Sequence, residues 1–406
     1  MRIFIGLREI ANIVNKYARG FQELGHSTQT LVLRKNPFYP QSHYNVVVEE
    51  NLGAPPYSKG LLFGVTYRIK RQAFLTLEFL RALVRCDIFI FTYASSFLPR
   101  YWDYPILKLF GKRIVSVFCG SDIRYWRAYE QEFARLHPNL DARSLYADVH
   151  DHTSDDFSIK IFRVRAAERY SDLILSLPSF GQLQSRPYMR INLPIDLSQL
   201  RYEVPEREHP VVLHAPSRRH LKGTRYVLMA IEKLRAEGIP FEFNLVENMD
   251  NERLKEMLTK ADIVIDQLYS LSIATLSLEA MATGNVVLTR YAPEYSQISP
   301  ECPAVNVNTD TLAEKLREVI LNINLRRKLA FAGRRYVENH HDHIYIAQQI
   351  LNWIEPGALT EYDFVPDFFT GKFDLSPEII REENRALRTK RIRKLLDKIH
   401  VLSKKD

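Results

Sequence analysis

Eleven residues between two apolar runs carry the densest chemistry in the chain: His214-Ala-Pro-Ser-Arg-Arg-His-Leu-Lys-Gly-Thr224. A strand-like run precedes this stretch and a helical pattern follows it, with Thr224 placed to cap the helix and Gly223 to allow a tight turn. A loop in that position presents unpaired backbone N–H groups at a helix start. Arg218, Arg219 and Lys222 add two guanidinium forks and one point charge, and Ser217 adds a hydroxyl. Together these are the tools for holding a diphosphate. The plainer reading of the same residues is a solvated basic loop.

A second stretch runs Ala261-Asp-Ile-Val-Ile-Asp-Gln-Leu268, then Tyr269–Ala274, then Thr275-Leu-Ser-Leu-Glu-Ala-Met-Ala-Thr-Gly284. It reads as a buried strand, a loop and a short helix, with Glu279 on the second helical turn. A carboxylate there can accept both hydroxyls of a ribose, while Ser272 and Thr275 at the helix start face phosphate. The alternative is a surface Glu present for helix propensity. The third stretch, Phe118-Cys-Gly-Ser-Asp-Ile-Arg124, follows a strand directly. Gly120 permits close backbone approach, and Asp122 and Arg124 lie at the sheet edge as catalytic candidates. Ser121 or Asp122 capping the next helix is the competing role.

Other chemistries are disfavoured. Gly6-Leu-Arg-Glu-Ile-Ala-Asn12 lacks the glycine fingerprint of dinucleotide binding, and no phosphate loop of the Gly-Lys-Ser/Thr type occurs. His340, His341 and His343 fit no zinc spacing and read as a helix end. Cys86, Cys119 and Cys302 form no close pair, which argues against a disulfide framework or a thiolate metal site. No metal and no bound cofactor is expected.

These stretches must be positioned by the elements around them. The 406 residues, 46% hydrophobic and 26% charged, suit a globular chain of two to three domains. Short apolar runs alternate with helical patterns: Arg2–Gly6, a helix over 12–24, Thr28–Leu33, a helix over 66–85, Asp87–Thr92, a helix over 101–110, Arg113–Phe118, a helix over 159–170 and Asp172–Ser176. Strands this rich in Ile, Val and Phe suit a parallel sheet covered on both faces. Pro138–Phe157 reads as an exposed loop. A charged, Pro-marked stretch near 192–210 reads as a linker. A second series then begins, with strands at Val211–Ala215, Glu242–Val246, Ile263–Gln267, Val286–Thr289 and Ala304–Asn306. Its helices are expected at 224–237, 252–261, 275–283 and 311–323. The fold class is therefore α/β, with two doubly wound Rossmann-like domains facing across a cleft, over residues 1–197 and 198–356, plus an extension over 357–406.

The order and spacing of these pieces resemble the family-4-like retaining glycosyltransferases of the GT-B type. The resemblance covers about residues 1–355 and rests on Gly6–Asn12, Phe118–Arg124, Ala215–Ser217 with Lys222–Thr224, Ala261–Leu268, Leu278–Ala282 with Gly284, and Leu325–Tyr336. It implies transfer of a sugar from a nucleotide-sugar donor to a glycan or lipid-linked acceptor, with retention and without an essential metal. It further implies that Lys222 holds the diphosphate and Glu279 the ribose. The family's diphosphate Arg falls on Ser217, so Arg218 or Arg219 must substitute. Its partner Glu, eight positions before Glu279, falls on Leu271, and the usual glycines are Ser272 and Ala274. Those departures leave a rival reading, a non-catalytic scaffold or sugar-binding subunit of the same fold.

The net charge of +8 resides mostly in the tail: nine basic against two acidic residues over 385–406 supply seven of the eight charges. Ile392, Leu395, Leu396, Ile399 and Leu402 recur at helical spacing there. An amphipathic basic helix suits an anionic membrane surface, whereas the nearly neutral body argues against nucleic acid. No apolar run reaches the length of a membrane helix, and Met1–Leu7 is too short for a signal peptide, so a cytoplasmic, membrane-peripheral protein is expected.

Overall fold

The computed structural model describes residues 1–54, 60–146, 158–247, 249–295, 301–358 and 361–364. Within them the first seven strands form one parallel sheet: β1 (Arg2–Leu7), β2 (Ser27–Val32), β3 (Val46–Val47), β4 (Ile88–Thr92), β5 (Arg113–Val117), β6 (Leu173–Ser176) and β7 (Met189–Arg190), in the order β3-β2-β1-β4-β5-β6-β7. The remaining five, β8 (Val211–His214), β9 (Glu242–Leu245), β10 (Ile263–Ile265), β11 (Val286–Thr289) and β12 (Val305–Asn306), form a second parallel sheet ordered β12-β11-β10-β8-β9. The first half carries helices α1 (Ile13–Glu23), α2 (Val48–Leu52), α3 (Gly60–Arg85), α4 (Asp103–Leu109), α5 (Trp126–Leu136), α6 (Ala142–Leu145) and α7 (Ser158–Tyr170). The second carries α8 (Arg219–Lys222), α9 (Thr224–Ala236), α10 (Asn251–Lys260), α11 (Thr275–Thr283), α12 (Leu312–Leu321), α13 (Ile323–His340) and α14 (His343–Ile354).

Strand pleating sorts the apolar residues by type. Ile3, Ile5, Ile88 and Ile90 point to the face packed by α1, whereas Phe4, Phe89 and Phe91 point to the face packed by α3 and α4. Phe4 and Phe97 meet with ring centroids 4.8 Å apart on that second face. Both faces are dry, which is the environment that parallel strands require.

The chain returns to its first half at the end. α14 packs on α1, and the crossing is close because Gly20 faces the His343 backbone; a Cβ there would overlap the His343 carbonyl oxygen. The histidine-rich stretch expected to end a helix does so. α13 closes at His340, and Asp342 caps α14 by accepting from the Ile344 and Tyr345 amides. His341 and His343 stitch the linker: Ile195 donates to the His341 carbonyl (2.7 Å), and the His343 amide donates to the Ile195 carbonyl (3.0 Å).

Part of 138–157 departs from the loop expectation, because Ala142–Leu145 forms one helical turn capped by the Asp141 carboxylate. The basic helix anticipated over 385–406 lies outside the described residues. Among the described residues, no helix is long and apolar enough to cross a membrane.

Candidate functional site

The carboxyl ends of both sheets carry the three stretches singled out above. In the second half, β8 ends in His214, whose Nδ1 lies 2.8 Å from the Ile265 carbonyl and whose Nε2 lies 2.9 Å from Thr224 Oγ1. This imidazole clasps the loop Ala215–Gly223 at both ends. Burial lowers its pKa, so it is neutral near pH 7. Thr224 does not cap: its hydroxyl is taken by His214, and Gly223, in the left-handed region at φ +75°, occupies the N-cap of α9.

Ser217 and Arg218 lie exposed on the loop. Arg219 is paired with Glu247, Nε to Oε1 at 2.7 Å. Lys222 turns inward, with its Nζ 2.6 Å from Asp266 Oδ1 and 2.9 Å from Gln267 Oε1. The other oxygen of Asp266 accepts from Ser277 on α11 at 2.7 Å, so one buried carboxylate ties Lys222 to that helix.

α11 begins at Thr275, as expected. Its N-cap residue, Ala274, has no side chain able to accept from the first turn. Ser272 acts through its backbone, its carbonyl accepting from Gln267 Nε2 at 3.0 Å and from Ser270 Oγ at 2.8 Å. Leu271 is buried in the core, so the position that bears a carboxylate in the resembled family is apolar here.

Glu279 faces the first half of the chain. Its Oε1 lies 3.0 Å from Lys16 Nζ on α1, and its Oε2 accepts from Asn251 Nδ2 at 3.1 Å. Both ends of the ion pair are nearly dry, with side-chain exposures of 7% for Lys16 and 3% for Glu279. Close by on α1's entry loop, Glu9 accepts from the Tyr44 hydroxyl at 2.8 Å, and burial pushes its carboxyl up to about 7. Asn251 also donates its amide to the Phe38 carbonyl at 2.9 Å, closing this side of the cleft. Among the described residues, Lys222 and Glu279 share no partner: the first is turned to Asp266 and Gln267, the second to Lys16 and Asn251.

In the first half, the carboxylate of Asp122 folds back on its own loop. Its Oδ1 accepts from the Gly120 amide at 2.7 Å, and both oxygens lie 3.2 Å from the Cys119 amide. It is fully buried; burial pushes its pKa up to about 6 against the pull of those amides. Arg124 lies between the Tyr129 and Phe180 rings, its guanidinium carbon 4.3 and 4.8 Å from their centroids. Gly120 borders it in the left-handed region at φ +136°. The second half reaches this corner too: the Tyr295 hydroxyl donates to Glu132 at 2.9 Å, and the Tyr295 backbone carbonyl accepts from the Ser179 amide at 3.2 Å.

Sequence reasoning missed Lys16, Asn251 and Asp266. A lysine on the buried stripe of α1 was the one available signal, since an unpaired ammonium is not buried without a partner. Among the described residues, no three His, Cys, Asp or Glu side chains converge as a metal site would need.

Residues 213–352 match a family model described as glycosyl transferase-like. A search of curated proteins by sequence finds no match. Three solved structures share the architecture at 14% identity. Sucrose-phosphate synthase from Thermosynechococcus elongatus covers 86% of this chain and 96% of its own, with a TM-score of 0.55. WaaG, a glycosyltransferase involved in lipopolysaccharide biosynthesis, covers 88% and 100%, with a TM-score of 0.54. An α-glucosyltransferase crystallised with UDP and a 13-mer DNA covers 87% and 99%, with a TM-score of 0.53. The fold expected from sequence, two Rossmann-like units of the GT-B type, is the fold found.

Proposed function

Because residues 213–352 match a glycosyl transferase-like model and the described residues are built as a GT-B pair, we propose that this protein transfers a sugar from a nucleotide-sugar donor to an acceptor hydroxyl. The observation that carries the reading is Glu279. A dry carboxylate projecting from the second domain toward the first, with Lys16 on one oxygen and the neutral Asn251 amide on the other, offers that second oxygen to ribose hydroxyls. On this reading the diphosphate lies along Arg218, Arg219, Lys222 and the start of α11 with Ser272 and Thr275.

Transfer proceeds with retention and without an essential metal. Fixed cations and helix ends stabilise the departing diphosphate, and the leaving phosphate assists the incoming hydroxyl. Contacts such as Tyr295 to Glu132 hold the halves together and exclude water from the reacting centre. The acceptor is a glycan or a lipid-linked saccharide. The protein works at the cytoplasmic face of an anionic membrane through residues 385–406 and binds no nucleic acid.

A second reading, a non-catalytic scaffold or sugar-binding subunit, is favoured by one observation: Leu271 places hydrocarbon where the resembled enzymes contact the donor sugar. A thermal-shift panel of nucleoside diphosphates separates the two. Saturable stabilisation by one of them, lost in Glu279→Ala and Lys222→Ala, supports the enzyme; no response to any supports the scaffold. Co-sedimentation with anionic liposomes, compared with a chain truncated before residue 385, tests the membrane contact.

A further inference from the structure

Among the described residues, Arg124 is a buried charge with no carboxylate paired to it. The residue is 9% exposed, and its Nε is buried with no hydrogen-bond partner. Among the described residues its guanidinium lies over the Tyr129 and Phe180 rings and acts on the Tyr146 phenol, which is hydrogen-bonded to that of Tyr129; none of these is a counter-ion. The neighbouring acids are committed elsewhere. Asp122 is bound to the Cys119 and Gly120 amides, and Glu132 to Arg135 and the Tyr295 hydroxyl. Cation–π contact offsets only part of what a guanidinium loses on leaving water.

The position of this arginine says what completes it. It follows β5 at the carboxyl edge of the first sheet, where doubly wound folds bind ligands. The tip of the fork borders Gly120: a Cβ there would stand 3.3 Å from Nη2, so the missing side chain leaves that tip clear. Two further buried polar atoms lack partners: Ser179 Oγ, next in the chain to Phe180, and His137 Nε2, at the end of α5 about two turns beyond Tyr129. His137 meets Tyr269 of the second domain edge-on, at 5.9 Å. It is no competing cation, because burial and Arg290 hold its pKa down to about 4.

We propose that Arg124 binds an oxyanion, a phosphate or carboxylate group carried by the acceptor, with the Tyr129 and Phe180 rings fixing the guanidinium fork. The inference rests on the proposed reading only in assigning the first domain to the acceptor. Planar, bidentate recognition of such a group is what a ring-clamped arginine does and a lysine does not.

The test is calorimetric titration of the full chain with inorganic phosphate, on wild type, Arg124→Met, Arg124→Lys and Lys222→Ala. Saturable binding that weakens at least tenfold in Arg124→Met and clearly in Arg124→Lys, yet survives Lys222→Ala, supports the proposal. Absence of saturable binding overturns it. So does binding that Lys222→Ala abolishes and Arg124→Met leaves intact, which would put the anion in the donor corner. Melting supplies an independent check. Methionine keeps the ring packing and removes an unpaired charge, so Arg124→Met should melt no lower than wild type; a clear drop with phosphate binding unchanged makes Arg124 a structural wedge and ends the case. Competition by glucose 1-phosphate against competition by phosphatidic acid vesicles distinguishes a sugar-borne from a lipid-borne phosphate. Failure of every nucleotide to bind would sink the functional reading while leaving the phosphate titration intact.

Discussion

Removing Lys16 should strand Glu279. The carboxylate is 3% exposed and has two donors, an ammonium at 3.0 Å and the Asn251 amide at 3.1 Å. Lys16→Met keeps the apolar stem of the side chain and deletes only the charge. A buried carboxylate that loses its ion partner costs about 3–5 kcal/mol, because its desolvation is no longer offset. Glu279→Gln in the same background removes the stranded charge, so the double variant should recover part of that loss, with a coupling of about 1–3 kcal/mol. Urea titration followed by tryptophan fluorescence measures this. Two-domain chains need not unfold in one step, so the comparison belongs to whichever transition Lys16→Met moves. A single variant within about 0.5 kcal/mol of wild type, or a double variant that falls by the sum of the singles, would refute the reasoning. Either result would mean that the pair is not formed and that Glu279 faces water.

Three further outcomes follow from the same geometry. Glu9 is held up to about 7 by burial, so the native state keeps a proton that the unfolded chain has released. Its contribution is full below the ordinary carboxylate range and is lost as pH rises toward about 7, by about 3 kcal/mol; Glu9→Gln should remove that slope in pH-dependent denaturation, and an unchanged slope counts against it. Gly20→Ala should lower the melting temperature, by about 1–3 kcal/mol of overpacking against the His343 carbonyl, although alanine is the better helix former by about 1 kcal/mol; a higher melting temperature refutes the close crossing. Glu247→Gln should strengthen nucleoside diphosphate binding by calorimetry about two- to fivefold, the worth of one half-exposed pair released from Arg219, and weaker binding would contradict a diphosphate at that corner.

What was legible in the sequence was whatever depends on neighbours along the chain. The β-branched and aromatic runs of β1, β4 and β5 announced buried parallel strands, and Thr275–Gly284 showed its own start and its glycine stop. α5 was not seen, because Tyr125 at its N-cap offers no acceptor and no glycine follows it. The partners of Glu279 could not be seen either. Lys16 is 263 residues away, and only the folding of two domains against each other brings α1 to α11. The direction of Asp122 was hidden for a different reason: two backbone amides inside its own tight loop outcompete any outward pose, and residue type says nothing of that.

The cations that carry the resemblance are countered before any ligand arrives. Arg219 is paired with Glu247, and Lys222 with Asp266, whose second oxygen holds Ser277. On the proposed reading a diphosphate must therefore exchange carboxylates for phosphate oxygens rather than neutralise bare charge, and the gain is a difference between two charge-assisted sets of bonds. That favours a dianion over a neutral sugar at Lys222, since only a stronger acceptor can draw the ammonium from Asp266. At Glu279 the exchange is milder: ribose hydroxyls would take over Oε2 from the neutral Asn251 amide, while Lys16 stays paired with Oε1.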